Sequence, residues 1–99
     1  MANHRKPPIP FTAVQSLEDL PNIGPALAGD LRLLGIETPA QLVGRNPLVM
    51  YRDLCAATGT RQDPCVLDVF MALTDFAGGG EARPWWTDTS ERKIRYGQI

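Results

Sequence analysis

The sequence predicts an all-α protein, a compact helical domain of about five short helices. Three observations carry this reading. Thr38-Pro39, Asn46-Pro47 and Asp63-Pro64 each join a side chain that caps a helix to a proline suited to its first turn. Glycines stand where those helices must stop, at Gly44, at Gly59 and at Gly78-Gly79-Gly80. No stretch alternates apolar and polar residues over the length of a strand.

Residues 1–15 read as a flexible leader, because Pro7, Pro8 and Pro10 discourage helix. Ser16 followed by Asp19 resembles a capping box, and Pro21 stops the helix it would start. The next helix is expected over residues 25–34. Pro25 suits its first turn, and Leu27, Leu31 and Leu34 recur at i, i+4 and i+7 as one apolar stripe. Gly35 sits at its C-cap, with Ile36 as the hydrophobic contact beyond. The Thr38-Pro39 helix is short. The Asn46-Pro47 helix carries Leu48, Tyr51 and Cys55 on one side. The Asp63-Pro64 helix carries Cys65, Val66, Val69, Phe70, Leu73 and Phe76. Thr89 caps a last helix over residues 91–96. Residues 16–80 thus form the helical domain, and residues 81–99 form a Trp-containing segment that packs on it.

The chain has 99 residues, enough for one domain that buries roughly 60–70% of its unfolded surface. Its 43% hydrophobic and 21% charged residues are those of an ordinary globular protein. No apolar run spans a bilayer, and no long apolar stretch follows Arg5 and Lys6 as a secretory signal would require. A cytoplasmic protein without a membrane partner is expected. A net charge of -1 and a pI of about 5.7 argue against strong, nonspecific nucleic-acid binding, which needs a basic excess. One histidine, His4, and two cysteines leave no expected metal site or cofactor.

Residues 20–36 hold the most informative pattern, Leu-Pro-x-Ile-Gly-Pro-x-x-Ala-x-x-Leu-x-x-x-Gly-Ile. Asn22 and Gly24 both tolerate positive φ, so the chain can reverse within a few residues. The pattern resembles the helix-hairpin-helix motif of DNA-repair and recombination proteins. Such a hairpin presents backbone N–H groups at a helix N-terminus, where they and the helix dipole favour a phosphate oxygen. The contact would be to backbone and would read no base sequence. The resemblance assigns the phosphate contacts to Asn22, Ile23, Gly24 and Ala26. Asn22 stands where glycine is common in the motif, and Ala26 where lysine is. Over residues 20–55, Arg32, Arg45 and Arg52 are balanced by Asp30, Glu37 and Asp53.

A second resemblance is longer. It runs from about Leu17 to Lys93 and rests on the hairpin, on Tyr51-Arg52-Asp53-Leu54-Cys55, on residues 58–70 (TGTRQDPCVLDVF) and on Pro84-Trp85-Trp86. These are similar to a family of short bacterial proteins described as pathogenicity-locus or mitomycin-resistance proteins. The family implies a helix-hairpin-helix fold and a DNA-related role, without a reaction or a ligand.

Cys55 and Cys65, on neighbouring helices, read as buried core residues, with a redox pair or shared metal as the alternative. Asp63 reads as a helix cap with Arg61 as its salt-bridge partner, the alternative being a catalytic cluster with Asp68. Adjacent Trp85 and Trp86 cannot both face one way. Both rings closing the core is one expectation; the alternative puts one in the core and the other beside Arg92, Lys93 and Arg95, as an auxiliary aromatic and basic patch. The helices flanking residues 58–63 are weighed as a degenerate second hairpin unit. No nucleophile–base pair, nucleotide loop or metal-ligand spacing appears, so no enzyme is expected. The expected function is weak, sequence-independent DNA binding. The alternative is a protein-interaction module on the same fold.

Overall fold

Proline opens three of the four helices in the computed structural model, which describes residues 10–97. α1 is Pro25–Leu33, α2 is Pro47–Thr58, α3 is Pro64–Ala77 and α4 is Thr89–Tyr96. Single 3-10 turns lie at Phe11–Ala13, Leu17–Asp19, Pro39–Leu42 and Trp85–Asp88. No described residue belongs to a strand, so the chain is all-α. The helix expected at Thr38-Pro39 is only a 3-10 turn, because Gly44, at φ 79°, ends the segment almost at once. The helix expected after Ser16 is likewise one turn. Ser16 Oγ bonds Asp19 Oδ2 at 3.1 Å and caps no backbone amide, and Pro21 follows.

The helix ends follow the local chemistry. Asn46 Oδ1 accepts the N–H groups of Leu48 and Val49 at 2.9 and 3.2 Å. Asp63 Oδ1 accepts that of Cys65 at 2.8 Å. At the end of α1, Gly35 takes φ 80°, which lets Ile36 N–H reach back to Leu31 O at 3.0 Å. Ile36 is then delivered into the core. The same long backward bond closes α2, from Thr60 N–H to Cys55 O, and α3, from Gly80 N–H to Asp75 O.

α3 is the centre of the molecule. Leu67, Val69, Phe70, Met71, Ala72, Leu73, Phe76 and Ala77 are all buried, more than one apolar face accounts for. It touches α2, α4 and the 3-10 turns at Pro39–Leu42 and Trp85–Asp88. α1 packs on α2 and on the Leu17–Asp19 turn. The described part of the expected leader also packs. Phe11 meets Phe76 edge-on with ring centroids 5.6 Å apart, and Val14 is buried. Residues 1–9, including His4, and residues 98–99 lie outside the described residues.

One buried residue of α3 is charged. Asp68 is 0% exposed. Its Oδ1 accepts Arg92 Nε and its Oδ2 accepts Thr89 Oγ1, each at 2.8 Å. Both partners come from α4, so the ion pair clamps α4 to the central helix. Breaking a buried pair by removing one partner strands a charge, which costs about 3–5 kcal/mol. Arg92→Ala is therefore expected to lower unfolding stability by that amount in urea titration. An Asp68→Leu, Arg92→Met double variant should recover most of it, since an apolar pair leaves no stranded charge. Equal stability of Arg92→Ala and the unaltered protein would refute the clamp.

Candidate functional site

The hairpin is built from two buried anchors and an exposed tip. Leu20 and Ile23 are both buried, and Ile23 N–H bonds Leu20 O at 3.2 Å. Pro21 and Asn22 occupy the two central positions of that turn. Asn22 is left-handed at φ 68°, as a type II turn demands of its third residue. Gly24, Pro25 and Ala26 are exposed beyond it, where α1 begins. The first bond within α1 is Ala28 N–H to Gly24 O, at 2.9 Å. The amides ahead of it, on Gly24, Ala26 and Leu27, belong to the set that no carbonyl of the helix can reach.

Gly24 differs from its sequence expectation. Its φ is -101° and its backbone is extended, so positive φ is required at Asn22 alone. A Cβ added at Gly24 meets nothing within 4 Å. A β-branched side chain at this position would therefore not block the turn.

Asn22 does more than tolerate its conformation. Its Nδ2 donates to Arg83 O at 2.8 Å, tying the hairpin to the segment that follows α3. Arg83 is in turn held by two carboxylates. Nε and Nη2 bond Asp88 at 3.0 and 2.8 Å, and Nη1 bonds Asp75 at 2.5 Å. Asp88, with Asp75, holds the guanidinium more firmly protonated than usual. Sequence reasoning did not single out Arg83. No local pattern surrounds it, and its partners are set by the fold.

The four auxiliary residues part company. Trp86 is exposed, while Trp85 is half-buried against the core with its ring 5.9 Å away at 85°. Lys93 and Arg95 are exposed on α4, where Arg95 pairs with Glu91 at 3.0 Å. Arg92 is not the surface cation expected of it, because its guanidinium is turned inward to Asp68. Near the hairpin, Arg32 is shared with Glu18 at 3.3 Å.

The α2–α3 junction absorbs the remaining candidates. The Tyr51 hydroxyl donates to Gln62 O, Cys55 Sγ accepts Gln62 N–H at 3.4 Å, and Gln62 Nε2 bonds Thr58 Oγ1 at 2.9 Å. Arg61 lies beside the Tyr51 hydroxyl, and the ion pairs among the described residues do not join it to Asp63. Burial and the neighbouring Cys55 push the Tyr51 hydroxyl up, with Arg61 opposing them. Cys65 is pushed up by the adjacent Asp63 carboxylate and by burial, which keeps it a protonated thiol. Both cysteines are free. Among the described residues, no three His, Cys, Asp or Glu side chains gather as a metal site would need, and no helix is long and apolar enough to cross a membrane.

Two outcomes are expected. Asn22→Gly keeps the turn and loses only the tether, costing about 1 kcal/mol, whereas Asn22→Ala adds left-handed strain and costs about 2–3 kcal/mol. Equal losses in urea titration would count against the tether. Asp63 is held below the usual carboxylate range by the Cys65 N–H. Its cap therefore contributes above the ordinary value of 3.8 and is lost as pH falls through the lower folded one. Asp63→Asn, which caps without titrating, should flatten the fall in Tm below about pH 4. An unchanged profile would contradict this.

Comparison with known proteins agrees with the longer of the two resemblances. A family model described as "Pathogenicity locus" (Cdd1) matches residues 11–94, starting at the 3-10 turn that packs Phe11 on Phe76. A protein of Streptomyces lavendulae named "Mitomycin resistance protein McrB" is 46% identical over 77 residues, covering 78% of this chain and 73% of its own. No solved structure matches. With the family model spanning nearly the whole helical assembly, the chain belongs to the pathogenicity-locus family.

Proposed function

We propose that this is a small, non-catalytic protein that binds DNA by its backbone phosphates, through the hairpin at residues 20–26. The observation that carries the reading is Gly24. It has neither a positive φ nor a crowded Cβ position to account for it, yet it stands at the mouth of α1. There, absence of a side chain leaves room for an oxyanion to reach the amides. The anchoring of Ile23 and the Asn22 tether hold the turn still, so little ordering entropy opposes binding. The helix-hairpin-helix pattern of the sequence supports the same reading, with the preceding helix reduced to the Leu17–Asp19 turn. Near-neutral charge keeps the binding weak and dependent on low salt. The reading needs no cofactor and places the protein in the cytoplasm.

A specific observation also favours a second reading, a protein-interaction module. Trp86 is 60% exposed and Ile94 is 79% exposed, on two elements that touch each other. Large apolar side chains in water suit the centre of a protein interface.

The deciding variant is Gly24→Asp. An aspartate caps a helix better than glycine, so the fold should gain a few tenths of a kcal/mol. The same carboxylate would occupy the amides and repel phosphate. Duplex binding, followed by anisotropy of a labelled oligonucleotide at low salt, is expected to weaken by about tenfold or more. Its salt dependence in the unaltered protein should be steep, with a slope of about -0.9 for each phosphate contacted. Undiminished binding by a folded Gly24→Asp protein would overturn the hairpin reading.

A further inference from the structure

α4 has little to keep it helical except the place where it docks. Its eight residues, Thr89–Tyr96, are too few for a stable helix in water. Its N-cap residue, Asp88, makes no cap hydrogen bond, because both carboxylate oxygens face Arg83. Arg92 is its one buried residue, and Ile94, its one aliphatic side chain, is 79% exposed. Tyr96 is half-buried against the core. Docking therefore rests on that ring and on the bonds of Arg92 and Thr89 to Asp68. A segment held in this way opens at lower cost than the core it lies on.

An unbroken line of hydrogen bonds leads from α4 to the hairpin. Asp88, at the mouth of α4, accepts Arg83 Nη2 and Nε at 2.8 and 3.0 Å. Arg83 O in turn accepts Asn22 Nδ2 at 2.8 Å, across 61 positions of sequence. While α4 is docked, Asp88 is held in place, for its backbone flanks the first turn of the helix. Once α4 melts, Asp88 loses that support, and the guanidinium keeps only its exposed contact with Asp75. The Arg83 carbonyl is then no longer fixed toward Asn22.

We infer that α4 is a releasable strap, and that its docking on Asp68 is coupled to the order of the hairpin at residues 20–26 through Asp88, Arg83 and Asn22. The coupling goes beyond the phosphate reading and holds whatever the hairpin binds. An ion pair suits such a seat, because each partner is rehydrated on release, where an apolar pair would be left in water. The coupling is reciprocal. A ligand that orders the hairpin favours the docked strap by the same factor by which the docked strap favours the ligand. A partner that draws α4 from its seat loosens the hairpin.

The test uses the full chain, with amide hydrogen exchange read residue by residue and unfolding constants taken from urea titration. No ligand enters it, so its outcome is separate from that of the phosphate reading. In the unaltered protein, the α4 amides should be protected at least about tenfold less than those in the middle of α3. In Arg92→Ala, α4 should lose its protection while α3 keeps its own. Asn22→Gly, which keeps the turn and removes the tether, should raise the unfolding constant about fivefold in the unaltered protein. In the Arg92→Ala background it should change that constant by less than about twofold, because the tether is already loose. Protection of α4 equal to that of α3, or retained in Arg92→Ala, overturns the strap. An equal effect of Asn22→Gly in both backgrounds overturns the coupling. If Arg92→Ala strips α3 of protection as well, Arg92→Lys, which keeps a cation for Asp68, takes its place with the same readings, and loss of α3 together with α4 in that variant overturns the inference.

Discussion

A carboxylate with no access to water sits in the middle of the central helix, and the C-terminal third of the molecule is arranged around it. Asp68 interrupts the apolar run of α3 and cannot remain unpaired there without a penalty of several kcal/mol. Arg92 and Thr89 meet it from one side of α4, three positions apart and so on the same helix face. α4 is otherwise rich in charge and short of apolar side chains, so hydrophobic burial alone gives it little reason to dock. The ion pair supplies both the attraction and the register. With α4 placed, the Trp85–Asp88 turn ahead of it is placed too, and so is the carboxylate of Asp88 that holds Arg83.

From Arg83 the constraint passes to the hairpin. The guanidinium is forked onto Asp88 and reaches Asp75 on α3, which leaves the Arg83 carbonyl aimed at Asn22. The loop before it is tight. A Cβ at Gly80 would sit 2.1 Å from Asp75 Oδ2, so only glycine lets that carboxylate fold back over the loop and reach Arg83. A left-handed asparagine therefore serves two ends at once. Its backbone completes the turn between Leu20 and Ile23, and its side chain ties that turn to a segment that arrives after the whole of α3. Glycine would serve the first purpose and lose the second.

The residues that make the family recognisable are largely scaffold. Tyr51, Cys55 and Thr58 converge on Gln62 and hold the α2–α3 junction, and Asp63 caps α3. Asp68 serves the internal clamp. Trp85 fills the edge of the core. These positions have packing and hydrogen-bonding reasons to be what they are. The residues that have no such reason are few, and Gly24 and Trp86 are the clearest. Both are exposed; Gly24 caps α1 through its backbone carbonyl alone, and Trp86 is not among the residues packed on the core.

Local chemistry determined the elements. A cap followed by proline starts a helix through bonds within three residues, and glycine stops one through its own φ, so α2, α3, the bounds of α1 and the left-handed Asn22 were all legible in the chain. Composition likewise marked the chain as near-neutral and ordinary for a globular protein. Tertiary structure decided whatever depends on partners distant in sequence. It turned Arg92 inward to Asp68, placed Arg61 beside Tyr51 and not on Asp63, and gave Arg83 its role. It also packed Phe11 and Val14, which the prolines before them had assigned to a loose leader. The physical reason is common to these cases. A charge or a ring takes its role from what surrounds it in space, and no local pattern reveals which residue sixty positions away will be that surrounding.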